Sequence, residues 1–375
     1  MRFFDRQARA RRAAADPWPG KTRIVVGIVA LAVFVVARRH PAAVDATYGR
    51  LVYPWIGSAL ASVSGLLPFG LADVSFAVVV LSLLFAFPTY YKRMRRSLGS
   101  RPRSVAAGLL GLAARASFWW TAFVLLWGLN YARPFPASAF GLNPPVEKAK
   151  QDELIDRIGD RLDDERRSVL ECDAGVVAEP EDDRALDAHI REVQARVLRE
   201  AGWPPVEAGR TKWPVASPLL LRWRVGGFYG PFTGEPNVVR PTPPGALPFT
   251  IAHERAHLAG VGSEDAASFV AYLTCWSSDR LEVRYSAWLE LWSHVGRDRK
   301  ERSAGVRRDQ DAIAEFYRLH PAGFEMESIW KGYGRFIEAH GVEGGTASYG
   351  RASGLALRWL DKHGLPGETA AAATR

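Results

Sequence analysis

Three apolar runs interrupt the first third of the chain, and charged–apolar alternation fills most of the remainder. The runs are Ile24–Ala37 (IVVGIVALAVFVVA), Leu71–Phe87 (LADVSFAVVVLSLLFAF) and a stretch from Val105 to Leu129 that ends ASFWWTAFVLLWGL. A helix that crosses a bilayer needs about 20 mostly apolar residues. The second and third runs satisfy this. The first is shorter, and Arg23, Arg38 and Arg39 must snorkel from its ends to complete a span. The pattern predicts transmembrane helices at about 22–39, 71–90 and 107–129. A signal peptide is the alternative for the first run. The long basic leader, and the Arg-Arg-His that follows the apolar core without a small-x-small cleavage site, favour an uncleaved span. Arg115 is costly at membrane depth, so the third span is expected to begin after it, near Ala116. Residues 51–69 (LVYPWIGSALASVSGLLPF) are apolar but broken by Pro54 and Pro68, and read as an interfacial or re-entrant segment.

Beyond the third run the texture changes. Residues 146–202 place Leu, Ile, Val and Ala at helical spacing among charges, which predicts two amphipathic helices with a break around Asp173–Pro180. From Trp203 to Pro248 prolines and glycines are dense. Pro218–Val225 and Asn237–Val239 read there as strands or extended segments. Gly227–Val238 is either an edge strand beside a cleft or an ordinary loop. Helix resumes near Phe249.

Charge divides along the same boundary. The net charge of the 375 residues is +9. Residues 1–129 carry 17 Lys+Arg and 4 Asp+Glu, whereas residues 130–375 carry 32 and 36. The basic excess belongs to the apolar third, and the acidic balance of the rest excludes a nucleic-acid binder. Residues 1–23 hold seven Lys+Arg, 89–104 hold six and 38–70 hold three. The positive-inside rule then puts the N-terminus and the second connection in the cytoplasm. Residues 130–375 are expected outside it, in the periplasm or at the cell surface, on a multi-pass protein of the inner membrane. A transporter is a poor match for three spans and so large a soluble part. Two cysteines, Cys172 and Cys275, exclude a disulfide scaffold; that compartment permits a bridge between them without implying one.

The chemistry concentrates at His253-Glu254-Arg255-Ala256-His257. On a helix, His253 and His257 lie one turn apart on one face and can take two corners of a tetrahedral Zn²⁺. Glu254 flanks that face and can act as general base on water activated there, the zincin arrangement. Pro248 suits the helix start, and Gly260 and Gly262 end it. Ser263 is placed to cap the next helix. A third ligand can come from Glu264, which the turn swings back, with Asp265 as its rival. Tyr285, Arg284 and Tyr229 are candidate contacts to a substrate or transition state. His294, His320 and His340 belong to no motif and read as structural or solvated. The expected fold is mostly α: three transmembrane helices, then a mainly helical zincin-like domain with a few short strands. The expected function is zinc-dependent hydrolysis of a peptide or protein substrate at the bilayer. The alternative is a non-catalytic envelope protein with a structural zinc.

Several segments together resemble a bacterial membrane family known as domain of unknown function 3810, whose members carry an HExxH motif. They are LPFGLADV before the second span, WGLNYARP after the third, GFYGPFTGEPNV, HERAH with GSEDAASFVAYL, VRYSAWL, and SYGRASGLAL near the C-terminus. The resemblance covers most of the chain. It implies a membrane topology and a metal site like those of zinc metallopeptidases, without naming a substrate. Two departures stand out. Where the family usually reads Glu-Asp-Glu-Ala-Asn, this chain reads Glu264-Asp265-Ala266-Ala267-Ser268, losing an acid and an amide that could orient ligands. Arg255 replaces a residue that is more usually apolar.

Overall fold

The computed structural model describes residues 20–98, 100–135, 140, 142, 146–170, 175–296, 301–340 and 349–366. These are mostly helical. α1 is Lys21–Ala37, followed by a helical turn at Pro41–Val44, a π-helical stretch at Asp45–Val52, and α2 at Tyr53–Gly65. α3 is Leu71–Leu98 and α4 is Arg101–Leu126, which runs into a 3₁₀ turn at Gly128–Ala132. Next come α5 Lys148–Val169, α6 Asp183–Glu200, α7 Ser217–Arg222, β1 Gly227–Gly230 and β2 Glu235–Val238. The chain closes with α8 Leu247–Leu258, α9 Glu264–Trp276, α10 Leu281–Val295, α11 Ala304–Leu319, α12 Met326–Ala339 and α13 Tyr349–His363.

Among the described residues, two helices are long and apolar enough to cross a membrane: Leu71–Arg96 and Arg101–Leu126, each 26 residues. At 1.5 Å per residue each rises about 39 Å, more than the hydrocarbon thickness. Three spans were expected. The first run instead forms a 17-residue helix, which rises about 25 Å. α1 lies along α4, burying Gly27, Ala30, Phe34 and Ala37 in one stripe while Val25, Ile28 and Val29 stay exposed. A Cβ on Gly27 would sit 2.5 Å from the Ser117 Cβ, so the two helices meet through small residues, as helices in lipid do.

α4 does not begin after Arg115. It starts at Arg101 and carries Arg115 at mid-length. The guanidinium is accommodated by α3, with Nη1 donating to Ser82 Oγ at 3.1 Å. The same hydroxyl accepts from Trp119 Nε1 at 3.2 Å. A polar group facing a neighbouring helix avoids the cost it would carry facing lipid, which hydropathy alone does not reveal.

The 51–69 segment is tied to the rest of the protein by one of its faces. Ala61 is fully buried against the Gly209 and Gly234 turns. The other face leaves Trp55, Val63 and Leu66 exposed. Two buried charges fasten this region to the strands. Glu235 on β2 accepts from the N–H groups of Leu71 and Ala72 at 3.0 and 2.7 Å, satisfying donors at the start of α3. Lys212 Nζ donates to the carbonyls of Ser64 and Leu67, at the end of α2.

α5 and α6 occupy the predicted amphipathic pair. Asp182 caps α6 by accepting from the N–H groups of Arg184 and Ala185, both at 2.9 Å. Residues 217–222 are helical rather than extended. Ser217-Pro218 starts a short helix, and a brief leucine run cannot distinguish the two states by periodicity. β1 and β2 form an antiparallel hairpin, with Phe228 paired to Asn237, and Lys212 bridges to Asn237 on the far side of β2. β1 is therefore the outer strand.

α8 is the central helix. Eleven of its twelve residues are buried, between α6, α9, α10 and the hairpin. Burial on every side makes an unpaired charge on α8 costly. Arg255 meets Asp187 of α6 at 3.3 Å, and Asp187 also accepts from the Thr211 hydroxyl at 2.5 Å. Arg255 thus faces away from the His253–His257 face into a buried ion pair. Asp187→Ala would leave that guanidinium uncompensated and is expected to lower stability by about 3–5 kcal/mol. A denaturation midpoint unchanged from wild type in detergent would contradict this.

Candidate metal centre

Helical spacing brings His253 and His257 together, and the turn after α8 returns Glu264 to them. The Nε2 atoms of the two histidines lie 3.2 Å apart. Glu264 Oε2 is 3.2 Å from His253 Nε2 and 3.4 Å from His257 Nε2. Tetrahedral bonds of about 2.0–2.1 Å place neighbouring donors about 3.3 Å apart, so this trio has the spacing to hold a small tetrahedral cation. Among the described residues these three form the group of His, Cys, Asp and Glu side chains able to do so.

The turn needs its glycines. Gly260 has φ +81, and a Cβ there would lie 2.6 Å from Arg133 Nη1 and 2.8 Å from Asn130 Oδ1. Ser263 has the extended backbone of an N-cap, but its side chain makes no cap bond. Glu264 opens α9 with its carboxylate turned to the histidines. Asp265 turns elsewhere: it accepts from its neighbour's N–H and pairs with Arg351 at 3.3 Å. Of the two alternatives, the fold brings Glu264 to the cluster.

Outer contacts fix the donors. His257 Nδ1 donates to the Val261 carbonyl at 2.8 Å, which turns Nε2 toward the cluster. Ser268 Oγ lies 3.1 Å from His253 Nδ1. Ser268 therefore contacts the first histidine. Ala266 belongs to a buried apolar cluster with Trp203 and Ala256. Tyr333 on α12 donates to Glu264 Oε1 at 2.5 Å, leaving Oε2 for the histidines.

Electrostatics separate the four groups. Burial pushes the Glu254 carboxyl up to about 8, with His257 opposing and Glu264 reinforcing the shift. Burial lowers His253. Burial also works against charge on His257, but Glu264 outweighs it and raises that imidazole to about 9. Glu264 is buried as well, yet the imidazoles hold it well below the usual carboxylate range.

The cluster forms one wall of a cavity of about 370 Å³. Glu254 lines it, with Oε2 buried and free of any hydrogen bond. Gly227 on β1 presses against this carboxylate, since a Cβ there would lie 2.6 Å from Oε1. Tyr229 also lines the cavity, its hydroxyl 3.3 Å from that of Tyr53.

Other candidates lie elsewhere. Tyr285 is fully buried and donates to Asp309 at 2.6 Å, while Arg284 pairs with Glu165 at 3.0 Å. α10 turns both away from the cavity, which spacing along the chain could not reveal. His294 pairs with Glu290, and His320 donates to the Phe316 carbonyl. His340 sits among Phe34, Trp120, Phe123 and Phe336. Cys275 is buried and free, and Cys172 lies outside the described residues. Tyr333 was not foreseen: it stands 69 residues from Glu264, and no motif marks it.

Fold and site define a mainly helical protein, with two helices apolar enough to span a membrane and a buried His-His-Glu cluster beside a glutamate. Residues 48–357 match the family described as "Protein of unknown function (DUF3810)", and the chain belongs to it. No curated protein and no solved structure matches the chain.

Tyr333→Phe removes only the donor to Glu264 Oε1. The loss of this buried, charge-assisted bond is expected to lower the stability of the metal-free protein by about 1–3 kcal/mol. Equal denaturation midpoints for the two proteins would show that the contact contributes nothing.

Proposed function

We propose that this protein is a membrane-anchored zinc-dependent hydrolase, and that it is a peptidase. The observation that carries the reading is the convergence of His253, His257 and Glu264 at tetrahedral spacing, open to a cavity that Glu254 shares. Zinc bound by these three side chains would polarise a substrate carbonyl and acidify water in the remaining position.

Glu254 is suited to the proton transfers. Its unpartnered oxygen is buried at the cavity wall, where a carboxylate can accept a proton from attacking water and return it to the departing amine. The water's oxygen joins the carbonyl carbon as the C–N bond breaks, and both protons leave with the products. A purely structural zinc site, the competing reading, has no use for a buried carboxylate kept free beside an accessible ligand cluster.

β1 supports a peptide substrate over other hydrolysable groups. Phe228 and Gly230 direct their main-chain groups to β2, so those of Gly227 and Tyr229 point to the outer edge. That edge lies along the cavity, where an extended chain can add as another strand. Tyr229, held by Tyr53, adds a hydroxyl near the bound chain. In this reading α1, α3 and α4 all cross the inner membrane with the N-terminus in the cytoplasm. α1 completes its span by snorkelling of the flanking arginines, and residues 130–375 lie outside as a zincin-like domain.

Metal analysis of the purified protein should give about one zinc per chain, and His253→Ala, His257→Ala and Glu264→Ala should each empty the site. Glu254→Gln should keep the zinc and lose about 10²–10⁴-fold in hydrolysis of peptide substrates. Stoichiometric zinc in both histidine variants would rule out this site. Undiminished hydrolysis by Glu254→Gln would rule out the general base.

A further inference from the structure

The cavity is built against the apolar helices, and its position bears on where substrate comes from. Phe123 and Trp127, from the last turn of α4 and just beyond it, form part of the wall. Trp127 Nε1 also donates to the His257 carbonyl at 3.1 Å, which holds the ligand helix at the end of α4. The hairpin turn after β1 reaches further. Phe232 meets the ring of Trp119 at 5.5 Å, and Trp119 is bonded to Ser82 in the middle of α3. Trp119 lies seven residues before the end of α4, so the hairpin tip descends about 10 Å along the apolar helices.

Exposed apolar residues lie on the segments beside the cavity. Val215 donates its N–H to Asp73, in the first turn of α3, at 2.7 Å, and is 82% exposed. Leu219 is exposed, and Phe324 is 96% exposed on the loop that precedes α12. Phe324 adjoins Glu325, which accepts from Trp223 at 3.2 Å, and the Trp223 carbonyl accepts from Trp330 of the cavity wall, while Leu219 precedes Leu220 of the same wall. Inside, the lining contains no Lys, Arg or Asp among the described residues, and Glu254 and Glu264 are its carboxylates. Aromatic and aliphatic side chains cover the rest.

Resting on the hydrolase reading, we infer that the cleft opens into the bilayer on the side where α3 begins and α4 ends. Its substrate is then a membrane-inserted polypeptide, cut in an extended apolar stretch beside its spanning segment. Exposed aromatic and aliphatic side chains level with the ends of spanning helices are stable in lipid and unfavourable in water. An acidic soluble peptide would lose its hydration on entering this lining without gaining a cationic partner. The free edge of β1 selects a polypeptide over a lipid ester, because it offers main-chain hydrogen bonds that only an extended chain can complete.

The test uses the full-length, zinc-loaded protein in vesicles of phosphatidylethanolamine and phosphatidylglycerol that also contain a lipid with a diazirine in its acyl chain. Illumination should give adducts at Phe232 and Phe324 as well as on the apolar helices. Adducts confined to α1, α3 and α4 would overturn the bilayer-facing cleft without any appeal to activity. In matching vesicles without the photolipid, three reporters carry one apolar cleavable stretch: directly beside a single span, separated from the span by a long hydrophilic linker, or as a free peptide. The first should be cut at least about tenfold faster than the others, the advantage of anchoring at the cleft. Equal rates would overturn the membrane source while leaving the hydrolase intact. Release of fatty acid from the vesicle lipid without peptide cleavage would overturn the polypeptide substrate. Cleavage of none, with zinc stoichiometric, would remove the hydrolase reading and this inference with it.

Discussion

The carbonyl groups at the C-terminal end of α8 set the terms for the rest of the structure. A helix leaves its last carbonyls without intrahelical partners, and here they are buried. Those of Arg255 and Ala256 accept from backbone N–H groups of the turn, and four carbonyls from His257 to Gly260 take side-chain donors from distant segments. Trp127 serves His257 at 3.1 Å, Tyr53 serves Leu258 at 2.9 Å, Trp203 serves Ala259 at 2.8 Å, and Arg133 serves Gly260 at 3.3 Å. Three of these donors lie on α2 and just past α4, so the helix that carries His253 and His257 is completed from the region of the apolar runs. Arg133 is itself held by Asp45 at 2.9 Å and by the face of Trp203 at 3.7 Å.

This arrangement leaves α8 little freedom. It buries His, Glu, Arg and His within five positions, where unpaired charge is expensive. The solution is directional. Arg255 turns to Asp187, the histidines turn to Glu264 and to Ser268 or the Val261 carbonyl, and Glu254 alone keeps an unpartnered oxygen toward the cavity. In the proposed function, the group that must exchange protons with substrate is a carboxylate whose cavity-facing oxygen the packing leaves unsatisfied.

The same logic joins strand and apolar helix. Glu235 on β2 receives the first N–H groups of α3, and Lys212 closes the end of α2. β1, paired to β2, lies along the cavity, with Gly227 pressed to Glu254. A shift of the apolar helices would be felt at the strand edge and at the ligand helix together, because both are held by hydrogen bonds that water cannot replace in a buried site.

Periodicity and spacing by themselves determined most of the helices and the face that His253 and His257 share. The apolar runs became α1, α3 and α4, the charged alternation became α5 and α6, and a four-residue interval on a helix put His253 beside His257. Even the return of Glu264 was legible, because two glycines flank the only short turn available to it. What lies between elements distant in sequence was decided by tertiary packing alone. Tyr333 bonds Glu264 across 69 residues, Trp127 closes the end of α8 across 130, and Tyr285 turns to Asp309 instead of the cavity. Arg115 is tolerated within α4 because Ser82 of α3 faces it. Local pattern fixes which way a side chain points on its own helix, but the group it meets there depends on how helices pack.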